Sequence, residues 1–249
     1  MPNWCENRLD IIANTADELK TVLEKVIRLH DNNEEDYHFI LDFELLLPMP
    51  KTLNIGVNSF VDNTVELLKL PADSQVANIT LPNPIHHSLS TLARDNKLMT
   101  IGECIQWLEQ NSDKQQQFGF NLLFGRQYLE NIEKYGVGNW YDWCYKNWGV
   151  KWNATTQYCP DYDINHTEFS IDFDTPWCAP EAWFKTLIDT FPNVTFKLTY
   201  FEPGMFFGGI CSSVESENCY YQYPESTSEV KILAKEFGYE DEDWHCDNE

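Results

Sequence analysis

The sequence predicts an α+β protein: one antiparallel sheet with helices on one face, a largely helical insertion, and a C-terminal helix that runs into an acidic tail. Three observations carry this prediction. Apolar and polar residues alternate with the period of a strand near the start of the chain and again after residue 149, and stretches at helical spacing follow in both places. Residues 51–139 show helical spacing and loop composition instead. At 249 residues, the chain is long enough to bury a substantial core without disulfide or metal staples.

In chain order, NWCENRLDII alternates as a strand does, and TADELKTVLEKVIRLH sets Leu19, Val22, Leu23 and Val26 on one helical side. Thr15 and Glu18 stand three apart as a capping box, which fixes where that helix starts. After the polar DNNEED, the β-rich YHFILDFELLLPMP reads as a second strand ended by Pro48 and Pro50. In the middle of the chain, LPADSQVANITLPNPIHH reads as loop and HSLSTLARDNKLMTIGECIQWLEQNSDKQQQ as helix. NLLFGRQYLENIEKYG is a further helix closed by a glycine cap.

The strand pattern returns in GVKWNATT and in TEFSIDFDT, where Phe169, Ile171 and Phe173 share one face and Ser170, Asp172 and Asp174 the other. Pro180 suits the first turn of PEAWFKTLIDTF, whose Trp183, Phe184, Leu187, Ile188 and Phe191 form an apolar stripe. NVTFKLTYFEPGMFFGGICSSV gives two strands joined through Pro203-Gly204. A second capping box, Ser226 with Glu229, opens a helix with Val230, Leu233 and Phe237 on one face, and Gly238 stops it. Two strand–helix–strand units around one antiparallel sheet are the ferredoxin-like plan. The boundaries read as 1–50 for its first half, 51–139 for the insertion leaving from the junction between the halves, 140–215 for its second half, and 216–249 for the C-terminal helix and tail.

Forty acidic against seventeen basic residues give a formal charge of −23, concentrated toward the C terminus. Such a surface repels phosphate backbones and anionic lipid, so the expected partners are proteins with a basic surface, with no direct nucleic-acid contact and no membrane. The N terminus, MPNWCENRLD, has no basic-then-apolar leader, and no apolar run approaches a spanning length of about 20 residues. The expected setting is therefore the host cytoplasm, with reduced thiols. The eight cysteines at 5, 104, 144, 159, 178, 211, 219 and 246 are scattered without any Cys-x-x-Cys pair and read as buried free thiols.

Several segments resemble a family. MPNWCENRL at the start, LLPMP at 46–50, YGVGNWYDWCYKNWGVKWNA at 135–154, FDTPWCAPEAWFKTLIDTFP at 173–192 and YFEPGMFFGG at 200–209 resemble the ferredoxin-like proteins of lambdoid phages and conjugative plasmids, of the plasmid YubB type. The resemblance implies a ferredoxin-like fold and a mobile-element origin. It implies no activity and carries no catalytic residue.

Five features compete as sites. The Trp140–Trp152 cluster, with Trp143, Lys146, Trp148, Lys151 and Trp152, suits stacking of a nucleotide or other small molecule. Against this, only two lysines stand near, and Asn139 can cap a short helix, ended by Gly149, that places Trp140, Trp143 and Cys144 on one side, which favours core packing. Cys159, Asp161, Asp163, His166 and Glu168 have ligand chemistry but match no calcium loop and read as a solvated acidic loop. His86 and His87 read as loop histidines without a paired nucleophile or carboxylate at motif spacing, and FFGG lacks the spacing and the strand-to-helix context of a dinucleotide fingerprint. The tail acids Glu240, Asp241, Glu242 and Asp243 around Trp244 suit either solubility or docking into a basic groove with an aromatic pocket.

With no catalytic motif, no metal set and no cofactor fingerprint, the expected function is non-enzymatic and cofactor-free. The reading is a phage or plasmid accessory protein that binds and inhibits a host defence protein through an acidic, nucleic-acid-mimicking surface. Asp161, Asp163, Asp172, Asp174 and the 240–244 segment are its candidate contacts. The alternative is a small-molecule or nucleotide-binding protein that sequesters a signal through the tryptophan cluster.

Overall fold

The alternating N-terminal segment forms β1 (Trp4–Ile12), a central strand of the main sheet. The computed structural model describes residues 3–30, 38–56, 58–158, 165–213, 220–224 and 226–240. After β1 come α1 (Ala16–Val26), β2 (Ile27–His30), β3 (His38–Leu41) and α2 (Phe43–Leu46). Then follow α3 (Ser59–Leu68), α4 (Asn83–Asn96), α5 (Ile101–Gln110), α6 (Leu122–Tyr135) and α7 (Trp140–Asn147). The chain closes with β4 (Thr155–Tyr158), β5 (Glu168–Pro176), α8 (Glu181–Thr190), β6 (Thr195–Glu202), β7 (Phe207–Ser212), β8 (Tyr220–Gln222) and α9 (Thr227–Glu236). Two compact units result: Met1–Met49 with Cys144–Glu249, and Pro50–Trp143.

The first unit is ferredoxin-like. Its six strands run in the order β4-β5-β1-β6-β7-β8, every pair antiparallel. In register, Leu9 stands opposite both Ile171 and Leu198, and Ile11 opposite both Phe169 and Phe196, so these six side chains share one sheet face. All six are buried, as are Leu19, Val22, Leu23 and Val26 of α1 and Trp183, Phe184, Leu187 and Ile188 of α8. Thr15 accepts from the Glu18 N–H and starts α1 where the capping box placed it.

One topological expectation is corrected. The run 37–50 does not supply the second strand of the main sheet. Among its described residues His38–Leu41 is the strand, and it pairs with β2 in a separate two-stranded ribbon. The edge position beside β5 goes instead to β4, after the second unit. The insertion therefore interrupts the first strand–helix–strand half and does not leave from the junction between halves. Residues 42–47 turn helical because Asp42 caps α2 through the Glu44 N–H at 2.9 Å. Asp42 is buried and also takes Arg28 as a 2.5 Å ion pair and the Asn153 amide at 2.7 Å, while Asn153 accepts from the Phe43 N–H. That network ties the segment before the insertion to the segment after it.

The C-terminal helix α9 stands apart from α1 and α8. It packs on the sheet face opposite α1 and α8, where Val230 and Ala234 bury Phe201, with Phe206, Phe237 and Tyr239 around them. Phe201 alternates with Leu198 and Tyr200 along β6, which places it on that opposite face.

The second unit is helical. Its core joins Leu67, Leu89, Leu92, Ile101, Cys104 and Phe120, with a smaller cluster of Ile55, Val61 and Val65. The long helix predicted from His87 to Gln117 is broken into α4 and α5, because Lys97 adopts a left-handed conformation (φ 57°) and Thr100 with Glu103 forms a new capping box. His86 and His87 lie on exposed turns of α4 and not in a loop. Gly136 (φ 73°) closes α6, as its glycine cap predicted. Gly125 sits so near α3 that an added Cβ would overlap the side chain of Thr64.

Candidate functional site

The residues proposed as ligand contacts in the tryptophan cluster separate in the structure. Asn139 caps α7 through the Asp142 N–H at 3.0 Å, and Gly149 (φ 83°) ends the segment, both as the spacing required. Trp143 and Trp148 are buried, 6% and 3% exposed, so their faces offer no stacking surface. Trp148 instead serves the core of the sheet unit: its indole N–H donates to the Leu47 carbonyl at 3.0 Å, its ring meets Phe43 edge-on at 5.8 Å, and its carbonyl accepts from the Trp183 N–H. Trp152 is 39% exposed, lies 6.5 Å from Trp4 and has the Lys151 ammonium 4.4 Å from its ring centre. Lys146 lies on an exposed turn of α7. The five residues do not form one platform, because the alternation of buried and exposed positions sends the rings in different directions.

The acids behave differently. Cross-strand pairing sets Glu6 opposite Asp174, Arg8 opposite Asp172 and Asp10 opposite Ser170, and the other neighbour of Asp10 is Lys197. All of these stand on the sheet face that α9 partly covers. Asp174 and Asp172 occupy alternate positions of β5, roughly 6.8 Å apart along the strand, and Glu168 lies on the same face beyond Ser170. The end of α9 brings Glu236 and Phe237 to the same place, where with Glu6, Arg8, Asp172 and Asp174 they bound a cavity of about 200 Å³.

Arg8 is the internal counterion. Its Nε and Nη2 donate to the two oxygens of Asp172 at 2.7 and 3.0 Å, and its guanidinium lies 5.8 Å from the Phe237 ring centre. The pair with Asp172 raises the Arg8 pKa further, with Asp10 and Glu236 adding to the effect. Glu6 shows the cost of the arrangement. Burial is the main cause that raises its pKa, the charges of Asp174 and Asp172 push it the same way, and the Tyr239 hydroxyl, which donates to it, pulls it back. Like charges directly opposite on neighbouring strands are destabilising. On β1, β5 and β6 the acids Glu6, Asp10, Asp172 and Asp174 thus share this face with Arg8 and Lys197.

Of the proposed contacts, Asp172 and Asp174 lie on this face, and Glu240 directly follows Tyr239, whose hydroxyl is anchored on Glu6. Asp161, Asp163, Asp241, Glu242, Asp243 and Trp244 lie outside the described residues. Glu6, Arg8 and Glu236 were not singled out from sequence. The signal was present, since the even positions of NWCENRLD carry Glu6, Arg8 and Asp10 on the face away from Leu9 and Ile11. Among the described residues no group of three His, Cys, Asp or Glu has an arrangement able to hold a metal ion, and no helix is long and apolar enough to cross a membrane. Cys5, Cys104, Cys144, Cys178 and Cys211 are free thiols. Burial pushes Cys104 up to about 11 and Cys144 up to about 12, which leaves them poor nucleophiles. Cys159, Cys219 and Cys246 lie outside the described residues.

With this geometry in view, comparison with known proteins places the second part of the chain. Residues 147–247 match the family model described as the ferredoxin-like domain in Api92-like protein. The crystal structure of protein api92 from Yersinia pseudotuberculosis is 14% identical, with 91% of this chain and 99% of that chain covered at a TM-score of 0.37. No curated protein matches the chain.

Proposed function

We propose that the chain is a non-enzymatic accessory protein of a phage or plasmid that binds a basic, nucleic-acid-binding surface of a host defence protein and inhibits it by occupying that surface. The observation that carries the reading is the sheet face itself. Carboxylates from β1, β5 and α9, far apart in sequence, share one face, and the Tyr239 hydroxyl just after α9 donates to one of them. A partner that releases counterions from its own basic site on meeting such a face binds more weakly as salt rises. The mobile-element origin rests on the resemblance of the tryptophan-rich and N-terminal segments to phage and plasmid proteins. Burial of Trp143 and Trp148 counts against the alternative, a nucleotide held by the tryptophan cluster.

The test pairs capture from bacterial lysate with a purified measurement. The captured protein is expected to bind nucleic acid by itself, to lose that binding as wild-type chain is added, and to hold the chain less tightly as salt increases. The double variant Asp174→Asn with Glu236→Gln, and separately a chain truncated after Glu240, each lower inhibition while leaving the Arg8–Asp172 pair in place. Binding that is indifferent to salt, or inhibition unchanged in both variants, sinks the proposal.

A further inference from the structure

A second cavity, of about 360 Å³, lies where the start of α8 meets β6 and β7. Three aromatic rings line it, Tyr200, Phe207 and Tyr223, of which Tyr200 is almost wholly buried and sits edge-on to Phe207 at 6.5 Å. The Glu181 carboxylate lines the same space and accepts from the Tyr200 hydroxyl at 3.3 Å and from the Tyr223 hydroxyl at 3.3 and 3.4 Å. Among the described residues no lysine, arginine or histidine pairs with Glu181. The remaining walls, including Ala179, Pro224 and Val230, are apolar.

This combination selects a ligand by charge. Aromatic faces carry negative quadrupole density and attract cations, and a carboxylate among them adds a full charge of the same sense. An anion is refused by the Glu181 charge, and two of the N–H groups at the start of α8 are already engaged: the Glu181 N–H donates to the Ala179 carbonyl at 3.0 Å and the Trp183 N–H to the Trp148 carbonyl at 3.3 Å. The two phenols orient the carboxylate, and burial and the Glu181 charge both keep the Tyr200 phenol protonated and donating. The apolar walls suit methylene groups behind a charged head.

We propose that this cavity binds an alkylammonium group, with Glu181 pairing the charge, Tyr200, Phe207 and Tyr223 enclosing it, and Ala179, Pro224 and Val230 sheathing the alkyl stem. Both a free amine and the side chain of a lysine on another protein present this chemistry. The site shares no residue with the acidic sheet face, so either can fail without the other.

The test is calorimetric titration of the full chain with n-hexylammonium chloride, 1-hexanol and sodium hexanoate at constant ionic strength. Hexylammonium is expected to bind saturably, hexanol about tenfold or more weakly, and hexanoate not at all. Glu181→Gln, which keeps an acceptor for both tyrosines, lowers hexylammonium affinity about tenfold without moving the melting temperature, and Tyr223→Ala lowers it severalfold. Asp174→Asn leaves it unchanged. Competition by Nα-acetyl-lysine methylamide assigns the site to a protein lysine, and competition by spermidine alone assigns it to a free amine. Absence of saturable hexylammonium binding, equal binding of hexanol, or full affinity in Glu181→Gln overturns the proposal.

Discussion

Replacing Trp148 by Phe separates a core tryptophan from a ligand platform. The indole N–H donates to the Leu47 carbonyl, and Phe leaves that carbonyl without its partner, at a cost of about 1–3 kcal/mol for a buried acceptor. The lost portion of the ring, in a site only 3% exposed, adds about 1 kcal/mol of forfeited burial and incomplete repacking. The edge contact with Phe43 survives in part because phenyl keeps an aromatic edge. The expected total is about 2–4 kcal/mol, read by urea unfolding followed by far-ultraviolet circular dichroism. Trp152→Phe is the internal control. Its ring is 39% exposed and meets Trp4 at 6.5 Å, so it is expected to cost about 0.5 kcal/mol. Equal costs for the two variants, or less than about 1 kcal/mol for Trp148→Phe, would refute the assignment of Trp148 as the residue that closes the core.

Arg8→Met removes the counterion of the acidic face and is expected to destabilise the chain at pH 7 by about 1–2 kcal/mol, after discounting for the partial exposure of the pair. The pH dependence has a defined sign: Glu6 holds its proton more tightly folded than unfolded, so its contribution is fully present below the unfolded pKa and is lost as pH rises through the folded pKa. Without Arg8 the carboxylates of this face repel one another uncompensated at pH 7 and less so once they take up protons, so the gap between variant and wild type should narrow on going from pH 7 toward pH 4.5, about the ordinary carboxyl range, and a gap that widens in melts across that range refutes it. In the helical unit, Gly125→Ala gains about 1 kcal/mol of helix propensity but forces a Cβ to within 2.7 Å of the Thr64 Cβ, and the net expectation is a loss of about 2 kcal/mol. Thr64→Ser, which keeps the hydroxyl that accepts from the Asn121 N–H and removes the methyl, should recover part of that loss in a double-mutant cycle; strict additivity would show that the two sites do not touch.

Local chemistry was legible wherever a short-range rule governs it. The Thr15 and Ser226 caps, the Gly136 and Gly149 helix ends and the alternation of β1 and β5 are each decided within a few residues of chain, and they stand where the spacing put them. The failures are non-local. YHFILDFELLLPMP has strand composition, yet Asp42 ends the extended run by capping a helix, and its buried carboxylate is made tolerable by Arg28 and by Asn153, over a hundred residues away. No window of sequence around 40 contains that partner. The same limit hid the acidic face, since Asp172 and Asp174 were visible as one face of one strand while Glu6, Arg8 and Glu236 join them only through pairing and through the docking of α9.

Energetics separate what the acidic face costs from what holds it. A sheet position opposite a like charge is one that stability alone would fill with a neutral or basic residue, and Glu6 sits there half-buried against Asp174. The fold compensates locally: Arg8 engages Asp172 with both oxygens and lies over Phe237, while Tyr239 donates to Glu6, so α9 is pinned to the sheet through the face it helps to build. A basic partner meeting this surface would lower the Glu6 pKa and relieve its repulsion from Asp174 in the same event. On the proposed reading, the strain of the free protein would become part of the driving force for association, which is the physical reason to test this face before the tryptophans that first draw attention in the sequence.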